Sequence, residues 1–185
     1  MTKELITIGL IEFNSIAAGI LAADLMVKKA PIELLQVNPT CPGKFIVLIA
    51  GDVASVDSSI KEGLDAGKHF VVDQLFLPNA HSSLIPAITG TTVIEKIDAV
   101  GIVETFSVAS CIIAADAAAK ESPIKLIQMR LGFGLGGKGY FTMTGELADI
   151  ESSVNASINK IQNQALIINT VIIPKPHEEF KDKLL

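Results

Sequence analysis

The chain has 185 residues, a net charge of −5, 49% hydrophobic residues and a mean hydropathy of +0.48. The acidic balance and the absence of a basic run exclude nucleic-acid binding through phosphate contacts. The longest apolar runs, such as 45–50, fall far short of the roughly 18 residues a membrane helix needs, so no membrane partner is expected. Two cysteines, Cys41 and Cys111, do not make a disulfide framework.

In chain order the pattern predicts a strand at Leu5–Glu12, a helix from Ser15 to Ala30, strands at Ile32–Asn38 and Lys44–Gly51, a helix from Asp52 to Gly67 and a strand at Phe70–Leu77. A linker is expected near Ser82–Ile97, where Pro86, Gly90 and Thr91-Thr92 interrupt the periodicity. The same order then recurs as Ala99–Glu104, Ser107–Glu121, Ile124–Leu131, Lys138–Gly145, Glu146–Gln162 and Leu166–Ile173. Ser15, Asp52 and Ser107 stand where helix caps are needed. Val53, Val56, Ile60 and Leu64 form one apolar helical stripe, and Leu147, Ile150, Val154, Ile158 and Ile161 form its counterpart. The first helix of the chain is instead dense in small residues, Ala17, Ala18, Gly19, Ala22 and Ala23, which suits close backbone approach.

The recurrence is a duplication. Offset by 92 residues, segments 9–37 and 101–129 share thirteen identities in twenty-nine positions, among them Glu12 with Glu104, Lys28 with Lys120 and Pro31 with Pro123. The offset grows to 94 at Gly43-Lys44 and Gly137-Lys138, then to 96 at His81 and His177. Two α/β (α+β) domains follow, 1–90 and 98–185, each β-α-β-β-α-β on the ferredoxin-like plan.

The runs Gly9-Leu-Ile-Glu12, Ala22-Ala-Asp-Leu-Met-Val-Lys-Lys-Ala30 and Lys44-Phe-Ile-Val-Leu-Ile-Ala-Gly-Asp-Val-Ala54 resemble the shell-domain pattern of bacterial microcompartments. With two copies, the chain resembles the tandem-domain shell proteins of propanediol-utilisation compartments. The resemblance implies a cytoplasmic homotrimer whose six domains imitate a hexameric tile. It also implies a non-enzymatic shell role beside other shell proteins, with an encapsulated or cytosolic redox enzyme as a further partner. Lys28 and Lys120 match positions that meet neighbouring tiles at the edge. The edge motif is carried as Pro174-Lys175-Pro176-His177 and more weakly around His81, with arginine lost from both copies. Lysine lacks the planar fork of arginine.

The loop Cys41-Pro42-Gly43-Lys44 carries the most distinctive chemistry. In a trimer one thiol becomes three at the axis, too few for a closed zinc site but enough to hold three irons of a cubane. The resemblance implies a [4Fe–4S] cluster shared by three subunits through Cys41. Read from the residues alone, Cys41 is a free, partly exposed thiol with no ligand role, beside a metal-free pore; the cluster comes from the resemblance. Pro42, Gly43 and Lys44 would line the axis together with Leu135, Gly136, Gly137 and Lys138 of the second copy. Lys44 would favour the thiolate. Cys111, inside a helix and opposite Gly19, reads as a small core residue.

The segment Gly132–Gly137 fits G-x-G-x-x-G, but the alternating Tyr140-Phe-Thr-Met-Thr144 that follows reads as a strand, whereas a phosphate loop must open a helix. No nucleophile, base and acid set stands out for catalysis. Glu12 and Glu104 read as strand-end carboxylates fixing the helix that follows. A small-molecule regulatory module built on the same fold is the competing reading, distinguished by a discrete ligand and no sheet assembly.

Overall fold

A computed structural model of the chain describes residues 6–161, 166–181 and 183–184. The chain divides into two compact units, Met1–Ala80 and His81–Leu185. The first contains β1 (Ile6–Phe13), α1 (Ile16–Lys29), β2 (Glu33–Thr40), β3 (Lys44–Gly51), α2 (Val53–Gly67) and β4 (Val71–Ala80). The second opens with a short helix, α3 (Leu84–Thr89), and continues through β5 (Ala99–Thr105), α4 (Val108–Glu121), β6 (Lys125–Leu131), β7 (Gly139–Gly145), α5 (Leu147–Ile161), β8 (Ile167–Ile173) and α6 (Glu178–Lys181). The expected bounds at Leu5 and Gln162 lie outside the described residues.

Each unit holds a four-stranded antiparallel sheet, ordered β2-β3-β1-β4 in one and β6-β7-β5-β8 in the other. Alternation along β1 sends Gly9, Ile11 and Phe13 to the helix-covered face. Gly9 is required by packing, since a Cβ there would lie 2.8 Å from Val56 Cγ1 and 2.9 Å from Ile60 Cδ1. Ser15, Asp52 and Ser107 cap α1, α2 and α4 by accepting backbone N–H groups.

The helices of each unit pack on one another as well as on the sheet. That second contact corrects the apolar stripes. Val53 and Leu147 are exposed, while Ser59, Gly63, Ser153 and Ser157 are buried beside Val56, Ile60, Ile150, Val154 and Ile161. Ser59 Oγ donates to the Met26 carbonyl, Ser153 Oγ to that of Ala118 and Ser157 Oγ to that of Ala114, each at 3.0 Å. Small polar residues thus serve a buried face because the opposing backbone approaches closely enough to satisfy them. On α1, Gly19, Ala22 and Ala23 are buried as close approach requires, but Ala17 is exposed.

The stretch expected as a linker contains α3. Leu84, Ala87 and Ile88 are buried and the helix packs against β6, so the division falls after Ala80 and not near residue 90. Pro86 is accommodated in the first helical turn, where no intrahelical N–H is needed. Gly90 closes the helix in the left-handed conformation, φ 72°.

Candidate functional site

The two β-hairpin tips differ most between the duplicated units. In the first, Thr40 pairs with Lys44 across β2 and β3, and Cys41-Pro42-Gly43 makes the turn. All three turn residues are exposed, Gly43 has φ 72°, and the Cys41–Pro42 bond is cis. Cys41 is a free thiol at the very tip. In the second, Leu131 pairs with Gly139, and the longer turn Gly132–Lys138 is closed by the Gly132 N–H donating to the Lys138 carbonyl at 2.9 Å. Gly132, Gly134, Gly136 and Gly137 all take positive φ, a conformation open to glycine at low cost. Leu135 is half-buried, Gly136 exposed and Gly137 buried. β7 follows directly, so the glycine-rich segment is a hairpin turn, with no helix N-terminus to bind phosphate.

The last residue of each turn is tied to its own sheet. Lys44 Nζ lies 3.3 Å from Glu12 Oε1, as an ion pair not aligned for a hydrogen bond, and Lys138 Nζ donates to Glu104 Oε1 at 3.2 Å. The strand-end glutamates therefore anchor the hairpin lysines, while serines cap the helices that follow. Strand-end position alone did not reveal this, because the partner stands thirty-two or thirty-four residues along the chain. Lys44 consequently brings to the Cys41 turn a charge already paired with Glu12.

Glu12 is almost wholly buried, whereas Glu104 is half-exposed. Burial raises the Glu12 pKa above its ordinary 4.5, with the Lys44 charge opposing the shift and Asp73 adding to it. The folded state then holds this proton more tightly than the unfolded chain. The contribution to stability is full below the ordinary carboxylate pKa and declines as pH rises through the raised one. Glu12→Gln is expected to flatten the urea stability profile across that interval, and an unchanged slope would contradict the assignment.

Cys111 is wholly buried on α4, and desolvation pushes its thiol up to about 12. Among the described residues no group of three or more His, Cys, Asp or Glu side chains could hold a metal ion. Of the two cysteine thiols in one chain, only that of Cys41 is exposed.

The BMC domain matches residues 7–80 and 99–176. The chain belongs to the BMC domain family, twice over. It is 42% identical over 171 residues to the bacterial microcompartment shell protein PduT of Citrobacter freundii, covering 92% of this chain and 93% of that protein. A crystal structure of a microcompartment protein from Desulfitobacterium hafniense DCB is 47% identical, with a TM-score of 0.94 over 96% of this chain and 99% of that one. The fused permuted hexameric shell protein MSM0275 of the RMM microcompartment shares the fold alone, at 15% identity and TM-score 0.62, covering 89% of this chain and 88% of that one.

The lysines expected at the BMC tile edge make equivalent pairs in the two domains, while the histidines differ. Lys28 Nζ donates to Asp24 Oδ2 and Lys120 Nζ to Asp116 Oδ2, each at 2.6 Å and one helical turn apart. Asp116 has a second role in its BMC domain, because its Oδ1 accepts the His81 N–H at 2.8 Å. The chemistry-bearing residues that sequence reasoning passed over are these aspartates. Their signal was present in the duplicated Asp-x-x-x-Lys spacing. His177 is exposed and Lys175 stands exposed between Pro174 and Pro176.

Proposed function

We propose that this BMC protein is a structural shell subunit of a bacterial microcompartment in the cytoplasm, assembling as a trimer of six pseudo-equivalent domains with other shell proteins. Its three Cys41 thiolates hold one [4Fe–4S] cluster at the threefold axis. The observation that carries this reading is the difference between the hairpin tips. One presents an exposed sulfur and the other only a glycine-rich turn. A single thiolate cannot retain a cluster, so the donor set fits only when copies share it. The fourth iron then takes a ligand from outside the thiolate set. When bound, such a cluster supplies one-electron transfer, which makes the tile a conductor toward a redox partner on either side of the shell. The chain's own part is to hold the Cys41 turn rigidly at the end of β2 and β3. The remaining tip residues, Pro42, Gly43, Leu135, Gly136, Gly137 and Lys138, surround the axis.

Purification without oxygen is expected to give brown protein with iron and acid-labile sulfide at about four of each per three chains. Cys41→Ser is expected to abolish both while leaving the trimer and its entry into shells intact. A wild-type trimer that stays colourless and iron-free after reconstitution would instead make the axis a metal-free metabolite pore. Failure to enter shell layers alongside other shell proteins would reject the structural role.

A further inference from the structure

The second domain holds a cavity of about 320 Å³ between the end of α3 and β6, the edge strand of its sheet. That volume is at the small end of the range for ligand pockets. Much of the wall is apolar, with Ile88, Ile127 and Met129 buried and Ile94 half-buried. Arg130 lines it as well, and among the described residues no Asp or Glu does. The cavity is therefore cationic in a chain whose net charge is −5.

The polar groups here have donors left over. Arg130 Nε donates to Gln128 Oε1 at 3.0 Å, which steadies the guanidinium and leaves its terminal N–H groups and the Gln128 amide N–H groups for another acceptor. Thr92 Oγ1, on the facing segment, is buried and has no hydrogen-bond partner among the described residues. A buried hydroxyl without a partner is unfavourable, so an acceptor is needed to complete the site. Thr89 differs, since its hydroxyl already donates to the Ile85 carbonyl at 2.9 Å.

The duplication isolates the charge. β2 has the same bulge at Leu34–Gln36 that β6 has at Leu126–Gln128, and the same glutamine follows, but Asn38 stands where β6 carries Arg130. We infer that the cavity binds a small aliphatic monocarboxylate. Its carboxylate accepts from Arg130, Gln128 and Thr92, and its chain of a few carbons lies against Ile88, Ile94, Ile127 and Met129. The planar guanidinium fork matches a carboxylate, and the apolar wall favours an alkyl chain over a hydrated inorganic anion. Neither the cluster nor the trimer enters this inference.

The test is methyl NMR of the full chain labelled at Ile and Met, titrated with sodium butyrate. Butyrate is expected to move the Ile88, Ile127 and Met129 signals saturably and to leave Met26 and Ile60 of the first domain in place. Arg130→Asn, which imports the residue of the sister strand, is expected to weaken binding by about tenfold, as loss of a charge-assisted pair does. Thr92→Val, which keeps the shape and removes the hydroxyl, should weaken it severalfold. Unchanged Met26 and Ile150 signals report that both domains of each variant are folded. Equal affinity in Arg130→Asn, 1-butanol binding as tightly as butyrate, or shifts that never saturate would each overturn the site. Sodium chloride moving the same signals equally would reduce it to an adventitious ion only, and so overturn it too. None of these outcomes bears on the shell reading.

Discussion

Gly139→Phe is expected to destabilise the second domain by about 3 kcal/mol, the upper end of the usual cost of overpacking, and adding Cys111→Gly to recover about half of it. The reason is a reciprocal exchange of size between the duplicated cores. In the first domain the cross-strand pair Phe13–Phe45 fills the space beneath α1, and Gly19 on that helix yields to the Phe45 ring. In the second the same pair is Thr105–Gly139, and the helix carries Cys111 where the first has Gly19. A Cβ at Gly139 would lie 2.6 Å from Cys111 Cβ and 3.1 Å from its Sγ. Bulk sits on the strand in one copy and on the helix in the other. Removing the Cys111 side chain should therefore make room for a ring on β7 as Gly19 does on β3. Urea unfolding of both variants, followed by far-UV circular dichroism, supplies the coupling energy. Strictly additive effects would show that the two positions do not compete for one volume.

Phe13→Thr, which imports the residue of the sister domain, is expected to cost about 3–5 kcal/mol, as other large-to-small changes at fully buried aromatic positions do. Phe13 is fully buried in the cluster of Ile11, Met26, Phe45, Val47 and Ile49, and Gly67 of α2 lies against its ring. Threonine is stable at the matching position for reasons absent here. The Thr105 hydroxyl has two carbonyl acceptors in reach of its one proton, Ser107 at 2.9 Å and Gly139 at 3.2 Å, and Gly139 lets the helix side chains close the space. At position 13 the hydroxyl would face the Phe45 ring and a cavity. Hydrogen exchange should place the loss in β1, α1 and α2, with β5 and α4 protected as before. Equal protection in all of these elements would refute the assignment of this core to one domain.

The duplication itself was legible because identities such as Glu12 with Glu104 and Gln36 with Gln128 survive at a near-constant offset, and strand and helix periods repeat with them. Element order followed for the same reason. The Cys41 turn was equally readable, since proline and glycine mark a hairpin tip without reference to distant residues. The short helix α3 was missed because Pro86 and Gly90 signal a break, yet a proline in a first turn and a glycine at a C-terminus also frame a helix.

What the tertiary structure decided were choices between equivalent copies. Asp24 and Asp116 have identical sequence surroundings, Ala-Ala-Asp with lysine four residues on, yet one is exposed and the other receives the His81 amide. Glu12 and Glu104 are likewise alike in sequence and differ in burial. Periodicity assigns a residue to a face of its own element. Whether that face is covered depends on segments brought together from far along the chain, and the chain covers it on α4 but leaves it exposed on α1. The sequence alone determined that this is a twice-repeated BMC fold with one thiol-bearing tip. The tertiary structure decided which of two matching faces is covered within the chain, because burial and pairing are set by long-range register and not by local pattern.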